Sequence, residues 1–156
     1  MKLSPAKLFK FFAVAEMVTW ALLITGLILR ATVGIPAELF TVIGGSHGFT
    51  FLGYGVVAAL VGVNQRWKLG KIVLGIALAI VPFATFPFER SLAKTNSLAG
   101  SWRTEKTADP RDSGWFDSLF RWFIARPLIL VLVLALTVVS LFSTLLFLGP
   151  PSEWGQ

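Results

Sequence analysis

The chain has 156 residues, of which 55% are hydrophobic and only 14% charged, with a mean hydropathy of +0.75. That composition excludes an ordinary soluble domain and makes a membrane protein the class to start from. The net charge of +6 does not point to nucleic acid, because the basic residues sit in connections and at the ends of apolar runs. There they set topology and meet anionic headgroups. With no cysteine, disulfides, thiolate nucleophiles and sulfur-ligated metals are all excluded.

Four stretches, residues 8–29, 39–63, 72–88 and 128–148, are long enough to cross about 30 Å of hydrocarbon. The expected fold class is therefore all-α: a polytopic membrane helix bundle of four transmembrane helices plus one interfacial amphipathic helix. Its expected parts are a three-helix core at 1–90, a polar connecting loop at 91–112, an interfacial helix at 113–126, the fourth transmembrane helix at 127–149 and a tail at 150–156.

Lys2, Lys7 and Lys10 precede the first apolar run, as in a signal peptide. The run is too long for one, contains Glu16 and lacks a small-x-small cleavage site, so a retained first helix is expected. Ser4-Pro5 suits its start as cap and first-turn residue. Glu16 falls inside the membrane, where a lone carboxylate must face protein or water or be protonated. Thr19 and Trp20 lie three and four positions later on its face. Arg30 closes this helix, and Gly34-Ile35-Pro36 turns the chain.

The second helix carries GGSHGFTFLGY at residues 44–54, which holds the only histidine, His47. Gly44, Gly48, Gly55 and Gly62 are read as helix-packing residues, by small-xxx-small and seven-residue spacing. His47, Thr50 and Tyr54 share the adjacent face. A short polar turn with Arg66, Trp67 and Lys68 makes helices two and three antiparallel neighbours. Pro82 and Pro87 are expected to kink the end of helix three, where carbonyls become available.

Residues 91–110 lose the apolar signal and read as a solvated connection. WFDSLFRWFI at 115–124 has the arc of an interfacial helix, with Trp115, Trp122, Arg121 and Arg126 as its interfacial residues and Asp117 spaced for an i,i+4 pair with Arg121. Topology is divided. The first three helices place the N-terminus in the cytoplasm, whereas the fourth, preceded by Arg121 and Arg126, would itself start inside. With four spans both cannot hold, and the expectation follows the first helix.

Helical rise brings Glu16, His47, Tyr54 and Thr85 to similar depth as a candidate intramembrane polar cluster. No catalytic residue and no metal site is expected: one histidine and scattered carboxylates do not supply the three or four ligands a zinc needs. There is also no phosphate loop, GxSxG or HExxH. No cofactor is predicted, haem ligation through His47 with Met17 or a second His47 being the weakest alternative. The expectation is a non-enzymatic accessory or interaction subunit of a larger membrane assembly or homo-oligomer, with the lipid bilayer as its surroundings and no nucleic-acid partner. A small oligomeric transporter or proton-coupled permease using Glu16 and His47 is the alternative.

AEMVTW at 15–20, LR at 29–30, GGSHGFTFLGY at 44–54, GVNQRW at 62–67 and PFATFPFER at 82–90 resemble the YdzA-like small integral membrane proteins of bacteria. That family is labelled a domain of unknown function. Its longer members continue with Leu-x-Gly-x-Trp-Arg, here 98–103, an Arg-Pro, here Arg126-Pro127, and a GPP-x-x-W tail, here 149–154. The resemblance implies a three-helix core plus a fourth helix in the bacterial plasma membrane. It supplies no activity for any residue.

Overall fold

A computed structural model of the chain describes residues 3–149, and the tail at 150–156 and Lys2 lie outside the described residues. All regular structure among the described residues is helical: α1 Pro5–Thr32, α2 Ala37–Asn64, α3 Leu69–Ala77 continued by a 3₁₀ turn Leu78–Ile80, α4 Thr85–Lys94, α5 Trp115–Ile124 and α6 Pro127–Leu148. The protein is a helical membrane bundle. Its α1, α2 and α6 are long and apolar enough to cross a membrane, whereas Leu69–Ile80 is shorter.

α1 starts as its sequence dictates, with the Ser4 hydroxyl accepting from the Lys7 N–H at 3.3 Å and Pro5 in the first turn. It ends where Gly34, at φ +77°, turns its N–H back to the Leu29 carbonyl at 3.0 Å. That left-handed conformation suits glycine. α2 returns antiparallel along α1. Phe9 meets Tyr54 at 5.7 Å, Trp20 meets His47 at 4.5 Å, and Arg30 stacks over Phe40 at 4.6 Å.

The four packing glycines do not share one neighbour. A Cβ on Gly48 would lie 3.2 Å from Phe142 of α6, and one on Gly62 would lie 2.7 Å from Ile72 of α3 and 3.1 Å from Trp67. Gly55 has an ordinary 3.8 Å contact with Ile76, and Gly44 has open space. The tightest α1–α2 approach is instead at Gly53, where a Cβ would stand 2.6 Å from Phe12. A seven-residue repeat drifts by about 20° per heptad on a straight helix, so the glycines pass from one neighbour to the next.

The third apolar segment differs from the expectation of one kinked helix over 72–88. α3 runs parallel to α1, from Trp67 beside Phe9 to Ala79 beside Trp20. The chain then breaks and α4 runs back, from Thr85 beside Ala13 to Phe88 beside Phe9. α3 and α4 form a helical hairpin that begins and ends at the N-terminal end of α1. Pro82 lacks an N–H and forces Val81 into extended backbone (φ −96°, ψ 120°), and Phe83 adopts φ +64°, so no helix continues through the break. The contacts of Phe88 with Phe9 at 6.3 Å and with Trp67 at 6.2 Å turn a kink into a reversal.

The connection after α4 is not simply solvated. It is tied back to the end of α2 and the start of α3 by Trp67 Nε1 donating to the Ser97 carbonyl at 2.9 Å, Lys71 Nζ donating to Ser97 Oγ at 2.8 Å and Asn64 Nδ2 donating to the Ser101 carbonyl at 3.2 Å. α6 then leaves from this end and runs antiparallel to α2, with Phe142 seated against Gly48 and Phe49.

Substituting Gly62→Val is expected to cost about 2 kcal/mol, since Ile72 and Trp67 both have to move. Gly44→Val, facing open space, is expected to stay within about 0.5 kcal/mol. Reversible unfolding in mixed micelles compares the two directly.

Candidate functional site

Two polar groupings stand out, one inside the bundle and one at its end. Depth inside the bundle follows from α1: Lys10 and Arg30 are twenty residues apart, about 30 Å of helix, which matches the hydrocarbon thickness. Trp20 is halfway between them. The hairpin tip beside it therefore lies near the middle of the bilayer.

A helix that ends there leaves carbonyls without amides, and no water is at hand to satisfy them. Side chains of α1 and α2 do so. Trp20 Nε1 donates to the Ala79 carbonyl at 2.9 Å, and the Tyr54 hydroxyl, fully buried, donates to the Gly75 carbonyl at 3.1 Å. On the returning limb the buried Thr85 hydroxyl donates to the Ala13 carbonyl at 3.1 Å. Tyr54 thus serves the hairpin backbone and Thr85 fastens the hairpin to α1, and neither hydroxyl hydrogen-bonds Glu16 or His47.

Glu16 and His47 are brought together, but through a third residue. Glu16 Oε2 stands 3.9 Å from His47 Nδ1, beyond hydrogen-bond reach, while Thr19 Oγ1 lies 3.4 Å from that carboxyl oxygen and 3.3 Å from Nδ1. With Nδ1 protonated, the hydroxyl accepts from His47 and its one proton goes to Glu16, whose backbone carbonyl at 3.1 Å is nearer than the carboxyl oxygen. Trp20 covers the imidazole. Glu16 is fully buried, its Oε1 has no partner, and the His47 side chain is 12% exposed. The group is closed off, with one unsatisfied oxygen. Thr19 and Trp20 were legible as neighbours of Glu16 on its helix face; their hydrogen-bonding roles were not.

At the end of the bundle, Arg103 holds α2. Its Nη2 and Nε donate to the carbonyls of Val63 and Asn64 at 2.9 and 2.8 Å, its own N–H donates to Asn64 Oδ1 at 2.9 Å, and Nη1 reaches Asp117 at 2.6 Å. A cation there satisfies orphan carbonyls and opposes the negative end of the helix dipole. Arg66, in left-handed backbone at φ 53°, bonds Asp112, which is itself gripped by the Thr107 hydroxyl at 2.6 Å. The expected Asp117–Arg121 pair is not made. Asp117 faces Arg103 and Arg66, and Arg121 Nη2 donates instead to the Asp112 carbonyl at 2.8 Å. The reason is position: these arginines and Asp112 gather under the protein side of α5, while Trp115, Phe116, Leu119 and Trp122 remain exposed on its other side. Arg126 stacks on Trp122 at 4.4 Å.

Thr107 hydrogen bonds, then the Arg66 and Arg121 charges, hold the Asp112 carboxyl below the usual carboxylate range. Hydrogen bonds from Arg111 do the same for Asp109 and raise Arg111 in turn. Among the described residues no three His, Asp or Glu side chains gather as a metal would require.

Two outcomes test this grouping. Arg103→Ala is expected to lose about 2–3 kcal/mol by leaving two carbonyls unpaired and Asp117 with only the longer Arg66 contact, and Arg103→Lys to recover little, because an ammonium cannot reproduce the fork. Thermal unfolding in nanodiscs reads both. Since the folded Asp112 and Asp109 carboxyls lie below their unfolded values, their stabilisation is complete above about pH 4 and is lost as pH falls through the depressed folded values. Proteolysis of the 103–117 connection is expected to stay slow from pH 7 to 4 and to accelerate only below that range.

Comparison with known proteins gives a family and no activity. A family model described as a domain of unknown function, DUF3817, matches residues 6–94. A Streptomyces coelicolor protein, SCO5905, provisionally named as a membrane protein, is 33% identical over 106 residues, which are 65% of this chain and 12% of that relative. The chain thus spans about an eighth of the relative's length. No solved structure matches. The family match carries the DUF3817 description and not the YdzA-like name. Its residues run from the first turn of α1 to the last residue of α4, more than half of the chain, so the protein is a member of the DUF3817 membrane family.

Proposed function

We propose that the protein is a non-catalytic interaction subunit of a larger membrane assembly, seated through the tip of the α3–α4 hairpin. The observation that carries this reading is a break in the helix at mid-bilayer depth, where the backbone is irregular and the flanking apolar residues are uncovered by the rest of the chain. Ile80, Val81 and Phe83 are 66%, 51% and 43% exposed around the break at Pro82. Non-helical backbone within the hydrocarbon is tolerated only where protein covers it or where it lines a wet cavity. A neighbouring subunit over the tip supplies that cover. The Streptomyces coelicolor relative supports the same reading, because its matched segment is joined to a much longer chain.

The orientation we propose has the N-terminus in the cytoplasm of a bacterial cell. Three crossings with a returning hairpin remove the conflict that four crossings create. Every lysine and arginine of the described residues except Arg30 then lies on the side of the α1 N-terminus, the inner side by the positive-inside rule. Within the family, the 98–103 element and Arg126-Pro127 favour the YdzA-like long forms.

A second reading is favoured by one feature, the unpartnered Oε1 of Glu16 beside His47 and next to a broken helix. In an oligomer this group would line a proton or ion path. Flux in proteoliposomes that is unchanged by Glu16→Gln and His47→Ala would remove it.

The interaction reading is tested by a photoreactive residue at Val81 in native membranes, with Val131 on the exposed face of α6 as control. The expected result is a stoichiometric protein adduct at Val81 and lipid adducts at Val131. Lipid adducts at both positions would overturn the reading, and an adduct to a second copy alone would replace the larger partner by a homo-oligomer.

A further inference from the structure

A recess of about 280 Å³ opens between the start of α1 and the returning limb, lined by Lys7, Lys10, Glu89, Asn96 and Leu98 among others. Glu89 is 5% exposed, and its Oε2 is closed off from solvent without a hydrogen-bond partner. Lys7 and Lys10 are exposed in the first two turns of α1, at headgroup level by the depth argument above, and neither forms an ion pair with Glu89. Asn96, in left-handed backbone at φ 52°, is exposed at the same opening. A buried carboxyl without a partner is costly, and because Glu89 also lines the recess, a turn of its side chain toward the opening lets a donor there remove that cost.

The charges select the donor. A simple cation suited to Glu89 is repelled by two lysines, and a simple anion suited to the lysines is repelled by Glu89. A ligand with an ammonium and a phosphate on a short linker satisfies both. We propose that the recess binds the headgroup of phosphatidylethanolamine in the leaflet on the side of the α1 N-terminus, with the ammonium on Glu89 and the phosphate between Lys7 and Lys10. A primary ammonium brings three N–H donors to the carboxylate. A choline headgroup brings none, and a glycerol headgroup brings no cation. The lysine stems lie along apolar surface with their charges at the phosphates, as long basic side chains do at membrane surfaces.

The test uses the full chain in nanodiscs made from equal parts of phosphatidylethanolamine, phosphatidylcholine and phosphatidylglycerol. The protein is extracted gently and its retained lipid is quantified by mass spectrometry. Phosphatidylethanolamine is expected to be enriched about tenfold over each of the others, the worth of one charge-assisted hydrogen-bonded contact. Glu89→Gln, near-isosteric, is expected to abolish the preference. Lys7→Ala combined with Lys10→Ala is expected to lower retention of all three lipids. Thermal unfolding provides a second readout: added phosphatidylethanolamine raises Tm in the unaltered protein and not in Glu89→Gln. Equal retention of the three lipids, or a preference that survives Glu89→Gln, would overturn the proposal. Binding of free O-phosphoethanolamine without retention of the lipid would overturn the lipid as its source.

Discussion

Backbone polarity in a medium without water is the constraint on which this structure depends. At Val81-Pro82 the chain loses helical continuity near the middle of the bilayer, and every carbonyl released there needs a donor. Trp20 and Tyr54 supply donors to α3, and the returning limb docks by the Thr85 hydroxyl on Ala13. Polar residues within apolar helices look like parts of a reaction centre, yet these three have a prior duty. Their hydrogen bonds allow a hairpin to exist where a continuous helix would be the default.

Reversal of the hairpin in turn decides what the rest of the chain can do. Because α4 returns to the end it came from, residues 95–126 gather beneath the C-terminus of α2. The 98–103 element then reads as a docking device. Leu98 is buried in the core, Gly100 turns at φ +102°, Trp102 Nε1 donates to the Leu3 carbonyl at 2.8 Å and Arg103 caps α2. The aspartates that follow fasten α5 through Arg66 and Arg103, so α5 lies with its aromatic side outward and α6 departs beside the Gly48 face of α2. An interfacial helix held by ion pairs and a membrane helix held by a glycine groove are both positioned from one break.

Much of this was legible in the residues. Ser4-Pro5, Gly34 and the apolar runs located α1, α2 and α6, and the aromatic arc of 115–124 located α5. Depth along two antiparallel helices put Glu16, His47, Tyr54 and Thr85 at similar levels, but it did not show that Thr19 stands between Glu16 and His47 or that the hydroxyls of Tyr54 and Thr85 bond elsewhere. Reversal after Pro82 was not legible locally, since a proline in a membrane helix produces a kink as readily as a turn, and only the distant contacts of Thr85 and Phe88 choose between them. Two signals pointed that way: the twelve residues from Leu69 to Ile80 are too short to cross, and the basic residues before α6 contradicted a four-span topology. The Arg66, Arg103 and Asp112 network was hidden for a different reason. Arg66 lies 46 residues before Asp112 and Arg103 lies 40 residues after the Val63 carbonyl it caps, and these partners meet only after the hairpin has closed.

The chain contains no cysteine, so single cysteines report membrane side without background. Lys68, Ala108 and Val33 are all exposed, respectively before the hairpin, after it and at the opposite end of α1. Labelling intact cells or sealed vesicles with a membrane-impermeant maleimide decides whether α3 and α4 return or cross. The hairpin predicts that Lys68→Cys and Ala108→Cys react from one side of the membrane and Val33→Cys from the other. Reaction of Ala108→Cys from the same side as Val33→Cys would contradict it.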